Sequence, residues 1–237
     1  MKLHALALSV SAALLLPLSA QAAPKVYGQL NISAESYQKD NQSPATSDED
    51  YTRLQSNSSR FGVRGEDELT VNLSAVYGIE WGVSADGEGA VGTVDLSQRN
   101  RFVGIKHKNL GTVKAGKFDT YLKTAQGKTD LFNDFTGDIQ FTIAGEDRVN
   151  NAIGYESPSF KGLQFNVLSQ TQDVAAKATN GTSLSVVYDN KDIGLYSALG
   201  VNKSIVGRSA LFGTAREGEG IRFAVGYTVS ALNVNAI

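Results

Sequence analysis

Two neighbouring stretches of the chain concentrate charge of opposite sign. Residues 97–117 carry Arg99, Arg101, Lys106, Lys108, Lys114 and Lys117 with no acid among them, a local charge of +6. Residues 120–147 carry Asp130, Asp134, Asp138, Glu146 and Asp147 against Lys123 and Lys128, a local charge of −3. A 28-residue connection this acidic, inside a compact domain, is expected to have a function or to be disordered. If it folds opposite the basic stretch across a water-filled space, the two signs set a transverse field that selects among ions and orients dipolar solutes. That is a chemistry of passage, with no bond made or broken. The bland alternative for any one of these charges is a solvated loop, or a strand end whose long side chain snorkels to water.

The remaining reactive inventory is short. The chain has no Cys, so disulfides, thiolate metal sites and thiol catalysis are excluded. Its two histidines are His4 and His107. A Ser/His/Asp constellation would rest on His107 alone if His4 is removed with a leader, and His107 sits beside a turn, where a surface role is expected. No Gly-x-Ser-x-Gly run occurs. Asp48-Glu49-Asp50 lacks the alternate-ligand spacing of a calcium loop. Asp86-Gly87-Glu88-Gly89 has acids where a phosphate cradle needs backbone amides and a Lys. No metal, no cofactor and no enzymatic activity are therefore expected. With 24 acidic and 22 basic side chains, a net charge of −2, a nucleic-acid partner is not expected either.

The elements that must position these charges begin after residue 22. Lys2, an apolar run over residues 5–18 and Ala20-Gln21-Ala22 are expected to form a signal peptide, residues 1–22, with cleavage after Ala22. Residues 23–237 then form the exported domain. No later stretch approaches the roughly eighteen apolar residues of a membrane-spanning helix. A barrel wall hides its apolarity in alternation instead. Leu69, Val71, Leu73, Ala75, Tyr77, Ile79, Trp81 and Val83 share one face of a predicted strand whose other face holds Thr70, Asn72, Ser74, Val76, Gly78, Glu80 and Gly82. The same period recurs in Leu163, Phe165, Val167 and in Ile221, Phe223, Val225, Tyr227, Val229. Tyr27, Tyr77, Trp81, Tyr155, Tyr188 and Tyr227 are expected in aromatic girdles near strand ends.

Eleven strands are expected, near 25–35, 57–66, 69–83, 98–108, 112–119, 148–157, 162–170, 181–189, 192–200, 207–216 and 221–231. Short joints at 66–68, 109–111, 157–161, 190–191 and 217–220 alternate with longer ones at 36–56, 84–97, 120–147, 171–180 and 201–206. Tight turns on one side and long loops on the other suit an antiparallel transmembrane β-barrel with periplasmic turns.

Several segments then resemble one family, the general trimeric porins of Gram-negative outer membranes. They are Val26-Tyr27-Gly28-Gln29-Leu30, then Ser59-Arg60-Phe61-Gly62-Val63-Arg64-Gly65-Glu66-Asp67-Glu68-Leu69, and Arg101-Phe102-Val103-Gly104-Ile105 followed by Leu110-Gly111-Thr112-Val113-Lys114-Ala115-Gly116-Lys117. Asn150-Asn151-Ala152-Ile153-Gly154-Tyr155-Glu156-Ser157-Pro158 and Phe160-Lys161-Gly162-Leu163 complete the match. The resemblance implies a homotrimeric barrel of about 16 strands in the outer membrane. It further implies contact with outer-membrane lipid and lipopolysaccharide, and passive diffusion of ions and small hydrophilic solutes past an inward-folded third loop. It assigns the basic wall of the constriction to Arg60, Arg99 and Arg148 and the acidic loop to Asp134 and Asp138, which flank Phe135-Thr136-Gly137. Arg60 and Arg148 are expected opposite lipid-facing Phe61 and Val63, and Val149 and Ile153. Gln29 stands where several relatives place a Lys. Lys106 and Lys108 are expected at the periplasmic rim.

The ending Asn233-Val234-Asn235-Ala236-Ile237 departs from the terminal aromatic strand that closes such barrels. Eleven strands are also an odd number, so residues 23–237 read as a barrel domain lacking about five C-terminal strands. Two rival classes stay open. One is an outer-membrane barrel of another role, a lipid-modifying enzyme or adhesin. The other is a soluble periplasmic β-sandwich that binds a ligand.

Overall fold

The computed structural model describes residues 23–39, 49–87, 96–135, 137–171, 180–208 and 215–237. The expected signal peptide lies outside them. The strands are β1 (Lys25–Gln29), β2 (Ile32–Lys39), β3 (Glu49–Ser56), β4 (Arg60–Thr70), β5 (Leu73–Val83), β6 (Leu96–His107) and β7 (Gly111–Asp119). They continue as β8 (Arg148–Glu156), β9 (Leu163–Gln170), β10 (Gly181–Asn190), β11 (Leu195–Arg208), β12 (Ala215–Val229) and β13 (Leu232–Ala236). A single helical turn, α1 (Tyr121–Thr124), and a 3₁₀ turn at Ile139–Phe141 lie between β7 and β8.

Eleven of the strands make one sheet in the order β1-β4-β5-β6-β7-β8-β9-β10-β11-β12-β13, and β2 pairs only with β3. Each pairing is antiparallel between neighbours in the chain, except that β1 pairs with β4 across the β2–β3 hairpin. The protein is therefore all-β, an up-and-down antiparallel sheet, and β1 and β13 are its two edges. Short turns at Val71–Asn72, 108–110, 191–194 and 230–231 fall at one end, and long connections at the other.

Polarity runs opposite to that of a water-soluble sheet. On one face Asn166, Ser183, Ser185, Asn202 and Arg222 are buried, whereas Phe165, Leu184, Val186, Leu199, Ile221 and Phe223 stand exposed on the other. Apolar surface this continuous is unfavourable in water and suited to lipid. Trp81 stacks on Phe61 on that outer face, with ring centroids 5.4 Å apart. On the inner face, Phe118, Tyr121, Val149, Ala152, Leu168 and Ile205 form a compact apolar cluster.

Several expected boundaries move, each for a local reason. The alternation from Leu69 to Val83 runs straight through a tight turn: Leu69 lies in the last residues of β4, which ends at Thr70, Val71 lies in the turn, and β5 starts at Leu73. Residues 66–68 therefore lie inside β4. The expected strand 25–35 breaks after Gln29 and resumes as β2, which runs into the expected loop at 36–56 and pairs with β3 there. Residues 201–206 are strand as well, and the register of β11 against β12 shifts between Asn202 and Ile205, where Ser204 has φ 51°. That bulge breaks the period-two pattern and makes a strand read as a loop. Residues 217–220 likewise lie within β12, and the turn follows at 230–231. In β8, Asn151 has φ 53°, and β7 shifts register on β8 between Gly116 and Phe118. Val149 consequently joins the buried inner cluster, and only Ile153 takes the outer face expected for both. Tyr27 also leaves the expected girdle, because its hydroxyl donates to Glu80 on the inner side.

Candidate functional site

The long segment between β7 and β8 turns onto the inner face and is tied to it along its length. Thr120 caps α1 by accepting from Lys123 N, and its own N–H donates to Asp147 O at 3.0 Å, closing the root of the segment. Tyr121 donates its hydroxyl to Glu156 Oε1 at 3.1 Å, and Lys114 Nζ lies 2.5 Å from the same oxygen. Burial, reinforced by the Glu156 charge, holds the Tyr121 phenol well above its ordinary pKa. Leu122 N donates to Ser183 Oγ on β10 at 3.1 Å, and Tyr196 on β11 donates to Ala125 O at 2.9 Å. Gly200 leaves room for this seating: a Cβ there would stand 2.7 Å from Leu122 Cα.

From that seat the segment reaches back to the other end of the sheet. Asp134, in the left-handed conformation at φ 69°, brings Oδ2 to 2.8 Å from Arg60 Nη1 on β4. Asp residues tolerate this conformation better than most. Asp138 caps the 3₁₀ turn, accepting from Gln140 N at 2.8 Å and from Asp134 N at 3.0 Å. Its carboxylate is committed to backbone, whereas that of Asp134 meets the wall. A segment anchored on β10–β12 that also touches β4 requires the sheet to curve around it.

The wall charges interlock. Glu80 on β5 stands between two arginines, with Oε1 2.5 Å from Arg99 Nε and Oε2 3.9 Å from Arg60 Nε, and accepts from Tyr27 at 3.0 Å. Gln29 faces Arg60 directly across the β1–β4 ladder. Arg148 donates through Nε to Asn100 Oδ1 at 2.7 Å, and its Nη2 lies 3.0 Å from Asp119 Oδ1. Lys123 bridges Asp119 at 3.3 Å and Glu146 at 3.5 Å. Between wall and segment lies a polar cavity of about 760 Å³, bordered by Arg60, Arg99, Lys117, Lys123 and Arg148 and by Asp119, Asp134, Asp138 and Glu146. Positive and negative groups at this spacing, partly withdrawn from solvent, are screened less than free surface charges. They can replace part of an ion's hydration and align dipoles.

The five residues singled out from the sequence thus border one cavity. The basic stretch as a whole does not. Arg101 lies over the Trp81 ring at 5.7 Å, Lys106 pairs with exposed Glu66 at 2.8 Å, and Lys114 lies against the Tyr121 ring of α1 at 5.7 Å. Strand alternation divides the stretch between faces. The residues missed were Glu80, Asp119, Lys123, Glu146 and Arg222. Glu80 carried a signal, as the one charge on an otherwise neutral face of its predicted strand. Arg222 carried a similar one, opposite Ile221 and Phe223. His107 lies at the end of β6, where its Nδ1 accepts from Asn109 N at 3.2 Å.

Comparison with known proteins follows the same direction. The family described as Gram-negative porin matches residues 5–236. Among curated relatives, the major outer membrane protein P.IB of Neisseria gonorrhoeae is 26% identical over 83% of this chain and 56% of its own length. Outer membrane porin PhoE of Escherichia coli is 29% identical over 69% of this chain and 46% of its own. The chain thus spans about half the length of such relatives. Among solved structures, an anion-selective porin from Comamonas acidovorans superposes with a TM-score of 0.66 at 22% identity, covering 90% of this chain and 66% of that one. Salmonella typhi OmpF, in complex with daunomycin, superposes with a TM-score of 0.67 at 16% identity, covering 90% and 64%. At these identities the structures speak for the fold.

Proposed function

The chain belongs to the Gram-negative porin family, and from that premise we propose that its full-length protein forms a water-filled channel through the outer membrane for passive diffusion of ions and small hydrophilic solutes. The observation that carries this reading is the inward segment, which sets Asp134 against Arg60 and leaves a charged cavity beside them. In this reading residues 120–147 are the narrowing loop, Arg60, Arg99 and Arg148 the basic wall, and Asp134 with Asp138 the acidic side. Glu80 joins the wall and mutes it, since it sits against two of the three arginines. A mixed field of this kind orients dipolar solutes in transit and discriminates modestly by charge.

The remaining features of the assembly follow from the same premise. The apolar outer face meets outer-membrane lipid and lipopolysaccharide, and three copies associate as a homotrimer. Residues 1–22 serve as the export signal. The edges β1 and β13 present unpaired backbone groups that lipid would penalise by several kcal/mol each. Together with relatives of which this chain spans only about half the length, this supports further strands in the full-length protein that close the barrel.

Solute flux tests the function. Phospholipid vesicles containing the refolded full-length protein should admit small sugars, with rates that fall steeply as solute size rises. Vesicles that exclude the smallest sugars as well as protein-free ones do would overturn the proposal.

A further inference from the structure

Resting on the reading of the cavity as a pore, we propose that Arg222 is a positioning residue that locks the inward segment at its root and, through a chain of alternating charges, holds Arg148 in place. Arg222 projects inward from β12 and is 4% exposed. Its Nη1 donates to Gln126 Oε1 at 2.7 Å on the outgoing limb and to Glu146 Oε1 at 2.5 Å on the returning limb. Its Nη2 donates to Ala144 O at 3.3 Å. One guanidinium therefore clasps both limbs against the sheet. A planar fork with several donors can do this, whereas a lysine ammonium is a single point.

The chain of contacts continues past Glu146. Its second carboxylate oxygen lies 3.5 Å from Lys123 Nζ, Lys123 lies 3.3 Å from Asp119, and Asp119 lies 3.0 Å from Arg148. The signs alternate from β12, across both limbs, to β7 and β8, and end on an arginine that borders the cavity. Removing Arg222 leaves the carboxylate of Glu146, nearly buried, with Lys123 as its one cation among the described residues. An uncompensated buried charge forces rearrangement. Lys123 is then drawn from Asp119, and Asp119 closes on Arg148. Arg222 does not border the cavity, so any effect on permeation must pass through these neighbours.

Single-channel recording of the full-length protein in planar bilayers tests the inference, with folding checked by heat-dependent migration in detergent. Arg222→Gln should raise open-channel current noise several-fold and move the reversal potential. Arg222→Lys should fall between it and the parent. The double variant Arg222→Gln with Glu146→Gln should return noise toward the parent, because no buried carboxylate is left unpaired. A merely structural role would lower the number of channels and leave these two readouts unchanged. Folded Arg222→Gln channels with parental noise and reversal potential would overturn the inference. Should that variant not fold, parental values in both the Lys and the double variant would overturn it equally. A parent protein without channels removes the pore reading itself, which separates the two failures.

Discussion

Glu80 decides how strongly the wall arginines act. Its two oxygens serve Arg99 at 2.5 Å and Arg60 at 3.9 Å, while Arg60 also meets Asp134 at 2.8 Å. Arg60 thus stands between acids on both sides of the cavity. Glu80→Gln should shift ionic selectivity toward anions, and neutralising Arg60, Arg99 and Arg148 should shift it toward cations, both read as reversal potentials in a salt gradient. Shifts of the same sign, or none, would show that these side chains do not set the field. Asp147 supplies a pH-dependent case. Burial, then the neighbouring Glu146 charge, raises its carboxyl above the ordinary range, against Lys123 and Arg222. A carboxyl raised on folding weakens the folded state while it is ionised, and the penalty fades as pH falls below its raised pKa. Asp147→Asn should therefore unfold at a higher temperature than the parent at neutral pH and lose that advantage in acid. An equal difference at both pH values would assign the effect to packing instead.

The elements around the inward segment depend on close approach. Gly200 on β11 lets Leu122 sit against the strand, and Gly200→Ala would push a methyl to 2.7 Å from Leu122 Cα. Neither partner is a flexible tip, so the change should cost about 1–3 kcal/mol and lift α1, seen as noisier channels of altered conductance. Leu168, fully buried in the cluster beneath α1, should lose about 2–5 kcal/mol on truncation to Ala, measured by denaturant unfolding in detergent. Strands whose pairings carry no register shift were readable from alternation alone: β9 and β10 fall within a residue of expectation, and β7 keeps its expected bounds to within a residue despite its shift against β8. Where a bulge interrupts the period the reading failed in part: at Ser204 in β11 strand was read as loop, and near Asn151 in β8 the bounds held but Val149 was given the wrong face. It also failed at Val71–Asn72, because a two-residue turn preserves the phase of the alternation. Of the site, the arginines and Asp134 were legible through resemblance and charge density. Glu146 and Arg222 were not, because their meeting depends on where the segment lands, which local pattern does not encode.

At the scale of the whole molecule, an outer face rich in exposed aliphatic and aromatic side chains and an inner face of buried polar ones belong to a wall between lipid and water. The curved sheet brings β4 and β12 within reach of a single segment that carries acid to one and takes hydrogen bonds from the other. The effects on selectivity, conductance and noise presuppose that the space behind the wall conducts. Unheated full-length protein should migrate as a folded form distinct from the boiled chain, which establishes a barrel but not a pore. The direct measurement is current across a planar bilayer at fixed voltage after adding the refolded full-length protein. Discrete, uniform upward steps are expected, and a trace that stays at the bare-membrane baseline, from protein shown to be folded and inserted, would contradict the assignment of a channel.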